Sequence, residues 1–392
     1  MTHGRRFAHP PHPEAIPLSL YVHWPWCVRK CPYCDFNSRR APKLLDEEVY
    51  VDRLLAALDR QIEAAGVRGR TLRTIFIGGG TPSLMTPETV GRLLEGAAAR
   101  IRVAGDCEVT MEANPGTADA ARFAGFRAAG VNRLSLGVQS LSTPILKRIG
   151  RIHDADGARA AIRAARSAFE NFNLDFMFAL PGQTLEELED EVAEALDSGA
   201  SHLSFYQLTL EPGTAFGKRP PEALPDEDAA AEMGDMVESR LALAGFERYE
   251  VSGYAKPGRR CRHNLNYWTF GDYLGVGAGA HAKWTNAEGV WREAGERVPS
   301  RWAARVDAGG TGAVRRRIPL EDLPFEFMLN ALRLVDGVPS VSFRDRTGLE
   351  LDAVEPVLGR LRAEGLMADD PGRLAATPRG LRFLSDLQEA FL

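Results

Sequence analysis

The chain has little that would let it work by positive charge or by membrane insertion. Its 48 Lys and Arg are outnumbered by 53 Asp and Glu, a formal net charge of −5 over 392 residues. Phosphate neutralisation needs a basic field, so non-specific nucleic-acid binding is excluded as a main activity. No apolar run approaches the roughly 18 residues of a membrane span, and the first residues carry no apolar stretch of signal type. A cytoplasmic location is therefore expected. Cysteine is scarce, five in all, and an odd count in such a chain argues against a disulfide framework. Three of the five nevertheless crowd into eight residues, as Cys27, Cys31 and Cys34.

That crowding is the most informative feature present. The CxxxCxxC spacing follows a short alternating strand, so three thiolates can converge from one tight loop with no fourth Cys to close the site. A [4Fe–4S] cube on three thiolates keeps one iron open to an exchangeable ligand. Zinc on the same cysteines plus His23 is the competing reading, though zinc loops usually pair short Cys spacings at two places. Cys107 reads as a buried inert thiol, and Cys261 as another.

Hydrophobic residues at 44% suffice for a substantial core. Residues 1–16 mix Arg, His and Pro without periodicity and read as a disordered leader, with His3, His9 and His12 solvated. From Leu18 onward, strand patterns alternate with amphipathic helix patterns at roughly thirty-residue intervals, the signature of stacked βα units. The strands are expected at Leu18–His23, Arg73–Ile77, Cys107–Ala113, Arg133–Val138, Leu174–Phe178 and His202–Leu208. Helices are expected at Leu45–Ala64, Pro87–Arg100, Ala118–Ala129, Ala155–Phe169 and Leu185–Ser198, with Thr86 and Thr184 as N-caps. The fold class is α/β, a partial (β/α)6 TIM-like barrel over residues 17–220. Residues 221–317 follow as a linker, a helix over Ala229–Ala244, a strand over Phe246–Ser252, an HNxxYW element and the Gly-rich Gly271–Ala280. Residues 318–392 read as a small winged-helix-like α+β domain: helices at Phe325–Leu334, Ser342–Thr347 and Leu351–Glu364, a two-strand wing over Leu366–Ala376, and a last helix at Gly380–Phe391.

In βα barrels the site forms at the C-terminal strand ends, and each strand here hands over to something polar or glycine-rich. The cysteines follow the first strand and Gly78-Gly79-Gly80-Thr81-Pro82 the second. Glu112 and Asn114 close the third, Gln139 and Ser140 the fourth; Asp175 lies in the fifth, and Glu211 comes after the sixth. Glycines admit close approach of backbone groups to a ligand, although a GGG run is as often a plain turn. Glu112 suits ribose hydroxyls or a helix dipole. Arg151 pairs with a carboxylate or simply ends a helix in solvent, as His153 does.

Taken together, YVHWPWC with CPYCDFNS, IFIGGGTPS, EANPGT, RLSLGVQS, LDFMFALPGQT and YQLTLEPGT resemble the radical S-adenosylmethionine enzymes of the oxygen-independent coproporphyrinogen III oxidase family, from Leu18 to the C-terminus. The resemblance implies a [4Fe–4S] cluster on Cys27, Cys31 and Cys34. It also implies S-adenosylmethionine held by Tyr21, Tyr33, Gly79, Gly80, Thr81, Glu112, Gln139, Arg151 and Asp175. In that superfamily the reduced cluster cleaves the sulfonium to a 5′-deoxyadenosyl radical, and the cofactor carries the difficult chemistry. The sequence departs from the oxidases in having Phe36 where they carry a further Cys, and in lacking their long N-terminal extension. Both departures are similar to the family's heme chaperone branch.

The function implied is therefore heme binding and transfer to an acceptor protein, with oxygen-independent decarboxylation of coproporphyrinogen III as the alternative. The partners implied are heme or a porphyrin, a heme acceptor, an electron donor protein and, through the acceptor, a peripheral membrane contact. His263-Asn-Leu-Asn-Tyr-Trp268 resembles the heme-binding motif of the chaperone branch, which makes His263 the candidate iron ligand. Cys261 is its competitor, and a hydrogen-bonded corner under the barrel is the competing account of His263. A third class, a cluster-bearing regulator, would use the C-terminal domain on DNA. Its recognition-type helix region carries Glu350, Asp352, Glu355 and Glu364 against Arg360 and Arg362. Groove binding needs a positive face, so no nucleic-acid partner is expected.

Overall fold

The computed structural model describes residues 12–117 and 119–392. His3, His9 and Ala118 lie outside them. Six strands pair in parallel and in chain order: β1 (Leu18–Trp24), β2 (Thr71–Gly79), β3 (Arg102–Ala113), β4 (Arg133–Gln139), β5 (Phe172–Phe178) and β6 (His202–Gln207). Between them run α1 (Glu47–Ala65), α2 (Pro87–Ala98), α3 (Ala120–Ala128), the short α4 (Thr143–Arg148), α5 (Ala155–Ala168) and α6 (Leu185–Asp197). Alternate strand residues such as Leu18, Leu20 and Val22 pack with Leu54 and Leu58 of α1 in the main core. Each such burial is worth about 1.5–3 kcal/mol, which is why strand and helix faces were readable from period alone. Thr86 and Thr184 cap their helices; Thr184 does so in a reciprocal capping box with Glu187.

The sheet continues beyond the six. After α7 (Ala215–Lys218) and α8 (Glu227–Leu243), the expected strand over Phe246–Ser252 is only the two-residue β7 (Glu247–Arg248), paired antiparallel with β8 (Gly253–Ala255), which lies antiparallel on β6. The Gly-rich segment supplies a seventh parallel strand, β9 (Asp272–Val276), hydrogen-bonded to the other side of β1. Antiparallel β10 (His281–Asn286), β11 (Gly289–Gly295) and β12 (Ala313–Arg317) complete a twelve-stranded sheet. The six parallel strands of the partial barrel stand as expected, and β9 is a further parallel strand beside β1. Five residues broken by Gly275, without a helix pattern leading into them, carry too little periodic signal to read as a strand.

Two further corrections concern the ends. Pro13–Ala15 forms a 3-10 turn and Ile16 is buried, its carbonyl accepting from Arg70 at 2.5 Å, so the described part of the leader is ordered. In the C-terminal region, Leu366–Ala376 folds back on itself through an antiparallel Met367–Ala376 bridge and the bond from Ala368 N to Ala375 O (2.9 Å), and Arg373–Leu374 pairs in addition with Val338–Pro339. The last helix breaks at Phe383 into Pro378–Arg382 and Leu384–Glu389. This region shares a second core with the chain beneath the barrel, where Phe270 meets Phe327 at 5.6 Å between ring centroids.

Candidate functional site

The cysteine loop is pinched at its neck, where Trp26–Cys27 pairs with Arg39–Arg40. It is tied down on three sides. Arg29 donates to the carbonyls of Gly150 (2.5 Å) and Arg151 (3.2 Å), and Phe216 N donates to Pro32 O at 3.0 Å. Asn37 donates to Ala278 O (2.8 Å) and Arg297 O (2.9 Å), while His23 Nε2 donates to Asn37 O at 3.0 Å. Since Nε2 carries that proton, Nδ1 accepts from the Tyr21 hydroxyl at 2.9 Å. Both nitrogens of His23 are engaged, which removes the fourth ligand of the zinc reading.

Cys27 is buried, Cys31 and Cys34 are half-buried, and all three thiols are free. Burial holds the Cys27 and Cys34 thiols above their ordinary value, eased by hydroxyls: Thr81 and Ser38 at Cys27, Ser38 at Cys34. Arg151 Nη1 lies 3.6 Å from Cys31 Sγ and 3.5 Å from the Tyr33 hydroxyl. A guanidinium and three hydroxyl groups around the sulfurs suit thiolates, which metal binding creates by expelling protons. Among the described residues, no three His, Cys, Asp or Glu side chains converge on a single metal point. A cube makes no such demand, because each thiolate takes a different iron. Three free thiols on one loop, with a guanidinium beside Cys31, are a donor set that fits an iron–sulfur cluster.

The second strand end presses on this loop. Gly79 sits at φ 116, where a Cβ would lie 2.6 Å from the His23 ring, and a Cβ on Gly80 would lie 2.6 Å from Trp26 O. Gly79 N donates to Glu112 Oε2 at 2.9 Å. Burial and the nearby Asp175 push the Glu112 carboxyl up to about 7 against the pull of that Gly79 bond. β4 slips register against β5 just before Gln139, which adopts φ 65, a costly conformation for a residue with a side chain. Gln139 Oε1 and Arg151 Nε are buried without a partner among the described residues. Unsatisfied buried groups beside a glycine cradle are what a polar ligand such as S-adenosylmethionine would complete.

Not every expected residue turns toward this mouth. Asp175 is held within the barrel wall by Ser135 (2.8 Å) and Asn173 (2.8 Å). His263 opens α9 (Arg262–Trp268), which plugs the base of the barrel. Its Nδ1 meets Thr74 Oγ1 at 2.7 Å and its Nε2 meets the Tyr267 hydroxyl at 2.8 Å. Thr74 donates to Ser19 (2.8 Å), so Nδ1 is the donor and the Nε2 lone pair accepts from Tyr267. Burial and Arg133 pull the imidazole down to about 3. In this fold His263 is the hydrogen-bonded corner, with no lone pair turned to a cavity. Cys261 is equally enclosed, its thiol facing Glu108 at 3.7 Å and pushed up to about 12 by burial.

The sequence reading missed Glu108 and Arg133. Glu108 accepts from Arg262 N (3.2 Å) and His263 N (3.1 Å), a carboxylate on the helix N-terminus. The usable signal was alternation: Ser19, Tyr21 and His23; Thr74 and Phe76; Glu108, Thr110 and Glu112; Arg133 and Ser135. These period-2 positions mark the concave face.

Above α9 the cluster loop, β1, β2 and the Gly-rich turn enclose a cavity of about 390 Å³. It is lined by Tyr21, His23, Phe36, Gly79, Glu112, Tyr267, Trp268, Tyr273 and His281 among others.

This arrangement of strands, loop and cavity is that of a radical S-adenosylmethionine barrel, and the Radical SAM superfamily model matches residues 21–195. The HemN C-terminal domain model matches residues 318–383. The chain is 46% identical to the heme chaperone HemW of Escherichia coli over 96% of its own length and 98% of the relative's. It is 37% identical to the mitochondrial radical S-adenosyl methionine domain-containing protein 1 of Bos taurus, covering 96% and 88%. The coproporphyrinogen III oxidase HemN of E. coli superposes with a TM-score of 0.81 at 21% identity, over 97% of this chain and 91% of that one, a likeness of fold. The chain belongs to the HemW family of radical SAM proteins. Among the described residues no helix is long and apolar enough to cross a membrane.

Proposed function

We propose that the chain binds heme and passes it to an acceptor protein, on a scaffold that carries a [4Fe–4S] cluster and S-adenosylmethionine. The observation that carries this reading is the ring-lined cavity between the cysteine loop and the HNLNYW helix, in a chain close to a protein named as a heme chaperone. Phe36, where an oxidase-type cysteine would stand, adds an exposed aromatic ring to that cavity. In the proposed roles, Cys27, Cys31 and Cys34 would hold the cluster, which would supply an open coordination position and an electron to S-adenosylmethionine. Gly79 and Gly80 let the backbone approach the ligand. Glu112 keeps one carboxylate oxygen for the ribose. Tyr21, Tyr33, Thr81, Gln139 and Arg151 complete the polar shell, and Asp175 steadies the wall behind it. His263, with both nitrogens engaged, is assigned to fixing Tyr267 rather than to the iron. An electron donor protein and a membrane-associated acceptor belong to the same reading.

The test is anaerobic reconstitution followed by three titrations. Wild type and Cys107→Ser are expected to give the cluster spectrum, and Cys31→Ser to lose it. S-adenosylmethionine is expected to perturb the paramagnetic resonance of the reduced cluster. Glu112→Ala should weaken that effect about tenfold or more, as for loss of one charge-assisted hydrogen bond of about 1.5–3 kcal/mol. Heme is expected to bind and to leave for an acceptor apoprotein. Conversion of coproporphyrinogen without heme binding would put the oxidase reading in its place.

A further inference from the structure

We propose that heme sits across the mouth on the outer face of the cysteine loop, with His281 as the iron ligand and the basic lobe beyond Phe36 receiving its carboxylates. This rests on the heme reading above and assigns its site.

Among the imidazoles of the described residues, most are already engaged. His23 and His263 have both nitrogens engaged, as shown above. His202 bonds Asn173 at 2.7 Å and Tyr249 at 2.9 Å. His153 Nε2 bonds Val138 O at 3.2 Å, and its other nitrogen is buried away from both cavities, neither of which His153 lines. His12 is exposed near the chain start and lines neither cavity. His281 differs: it is exposed at the start of β10, lines the mouth cavity, and makes no side-chain hydrogen bond among the described residues. Burial, Arg292 and Arg297 all lower its pKa from the ordinary 6.5, so its ring is neutral at neutral pH. A neutral imidazole with a free lone pair is what ferric or ferrous heme takes as an axial ligand.

The surroundings match the rest of the molecule. Tyr21, Gly79 and Glu112 of the mouth cavity are left to S-adenosylmethionine, and six of the other nine residues lining it carry rings, a surface for a flat macrocycle. Phe36 and Asn37 are shared with a second cavity of about 580 Å³, whose other walls are Lys30, Ser38, Arg39, Arg40 and Arg297. Four cations on one side of an exposed phenylalanine, and rings on the other, reproduce the division of heme into two carboxylates and an aromatic body. The mouth cavity alone is small for a macrocycle, and the two lobes together lie within the ordinary range of ligand sites. An open site of this kind, with one Fe–N bond and solvent-exposed cations, suits a ligand that must leave again.

The experiment titrates hemin into the anaerobically purified full-length protein. His281→Ala is expected to shift the Soret band and weaken binding about tenfold or more, and added imidazole is expected to restore the wild-type band position. Arg297→Glu is expected to weaken hemin about two- to fivefold, as an exposed pair would, and to leave hemin dimethyl ester unaffected. A Soret band and affinity unchanged in His281→Ala would overturn the ligand assignment while leaving the heme reading intact. Equal effects of Arg297→Glu on hemin and its ester would overturn the seating of the carboxylates. Absence of a Soret band in wild type would overturn the heme reading itself, and this site with it.

Discussion

The two ends of the barrel are built from the same strands to opposite specifications. At the base, buried carboxylates and imidazoles are closed by direct partners. Asp272 takes Arg70 at 2.7 Å, Lys283 at 3.0 Å and the Thr285 hydroxyl at 3.0 Å, while Glu108 caps α9 and His263 is bonded on both nitrogens. Arg133 Nε, Thr110 Oγ1 and Asn266 Oδ1 are the exceptions on this side, and none of them belongs to a carboxylate or an imidazole. At the mouth, Gln139 Oε1, Arg151 Nε and His153 Nδ1 are buried without a partner, Gln139 is strained, and Phe36 and His281 face solvent. A saturated end holds shape, and an unsaturated end awaits a ligand. The HNLNYW element belongs to both, since His263 anchors it below and Tyr267 and Trp268 present rings above.

The largest effect should come from breaking the base. Asp272→Ala leaves the Arg70 guanidinium and the Lys283 ammonium buried without their carboxylate; Lys283 is already lowered to about 8 by burial. Loss of one partner of a buried ion network costs about 3–5 kcal/mol. Urea unfolding should register that loss as a lower midpoint. A change below 1 kcal/mol would mean that the base is not the rigid half of the comparison.

The same contrast explains what could be read without coordinates. The six strands and five helices announced themselves because burial imposes periods of two and 3.6 on apolar residues, and Thr184-Leu-Glu-Glu187 states its cap locally. The cysteine loop was legible because three thiols in eight residues have few other uses. Asp272–Val276 was not, since its place beside β1 is decided by β1 and by glycines that fit under other backbone. Asn37 and His281 were not, because nothing in sequence links residue 37 to the carbonyls of residues 278 and 297, or residue 281 to a cavity. His263 was read as a ligand from the motif that contains it. Its partners Thr74 and Glu108 come from strands far away in the chain, so only the fold reveals that its lone pair is taken.

Acidity offers a second way to sharpen the comparison, because one buried group at each end, Glu112 at the mouth and His263 at the base, should respond to pH with opposite signs. Glu112 is raised from 4.5 to about 7, so the folded state holds its proton longer than the unfolded chain does. Its contribution is present below pH 4.5 and is lost as pH rises through about 7. His263 is lowered from 6.5 to about 3, so the folded state refuses a proton that the unfolded chain accepts. Stability is then lost as pH falls from 6.5 toward 3. Each effect is on the order of a few kcal/mol at most. Measured by urea unfolding, the stability of wild type relative to Glu112→Gln should fall between pH 4.5 and 7. Relative to His263→Gln it should rise between pH 3 and 6.5. Slopes of the same sign would mean that Glu112 and His263 are not held in the opposite protonation preferences assigned to them.

The smallest effect tests where the open character of the mouth stops. α6 begins beyond the C-terminal end of β5, on the mouth side but in the outer layer, and there its cap is fully made. Thr184 Oγ1 accepts from Glu187 N at 3.2 Å, and Glu187 Oε2 accepts from Thr184 N at 2.9 Å. Thr184→Ala should cost about 1 kcal/mol, the usual worth of an N-cap, visible as a lower urea midpoint at an unchanged slope. Binding of S-adenosylmethionine and heme should stay as in wild type, because Thr184 lines neither cavity. The helix is nevertheless not isolated from the strand ends: Glu191, one turn further along it, receives Leu141 N at 2.6 Å and the Ser140 hydroxyl just past the strained Gln139. A tenfold loss of S-adenosylmethionine affinity in Thr184→Ala would therefore mean that fraying of α6 reaches Gln139 through Glu191. The boundary between closed and open structure would then run through the helix layer instead of around the lumen.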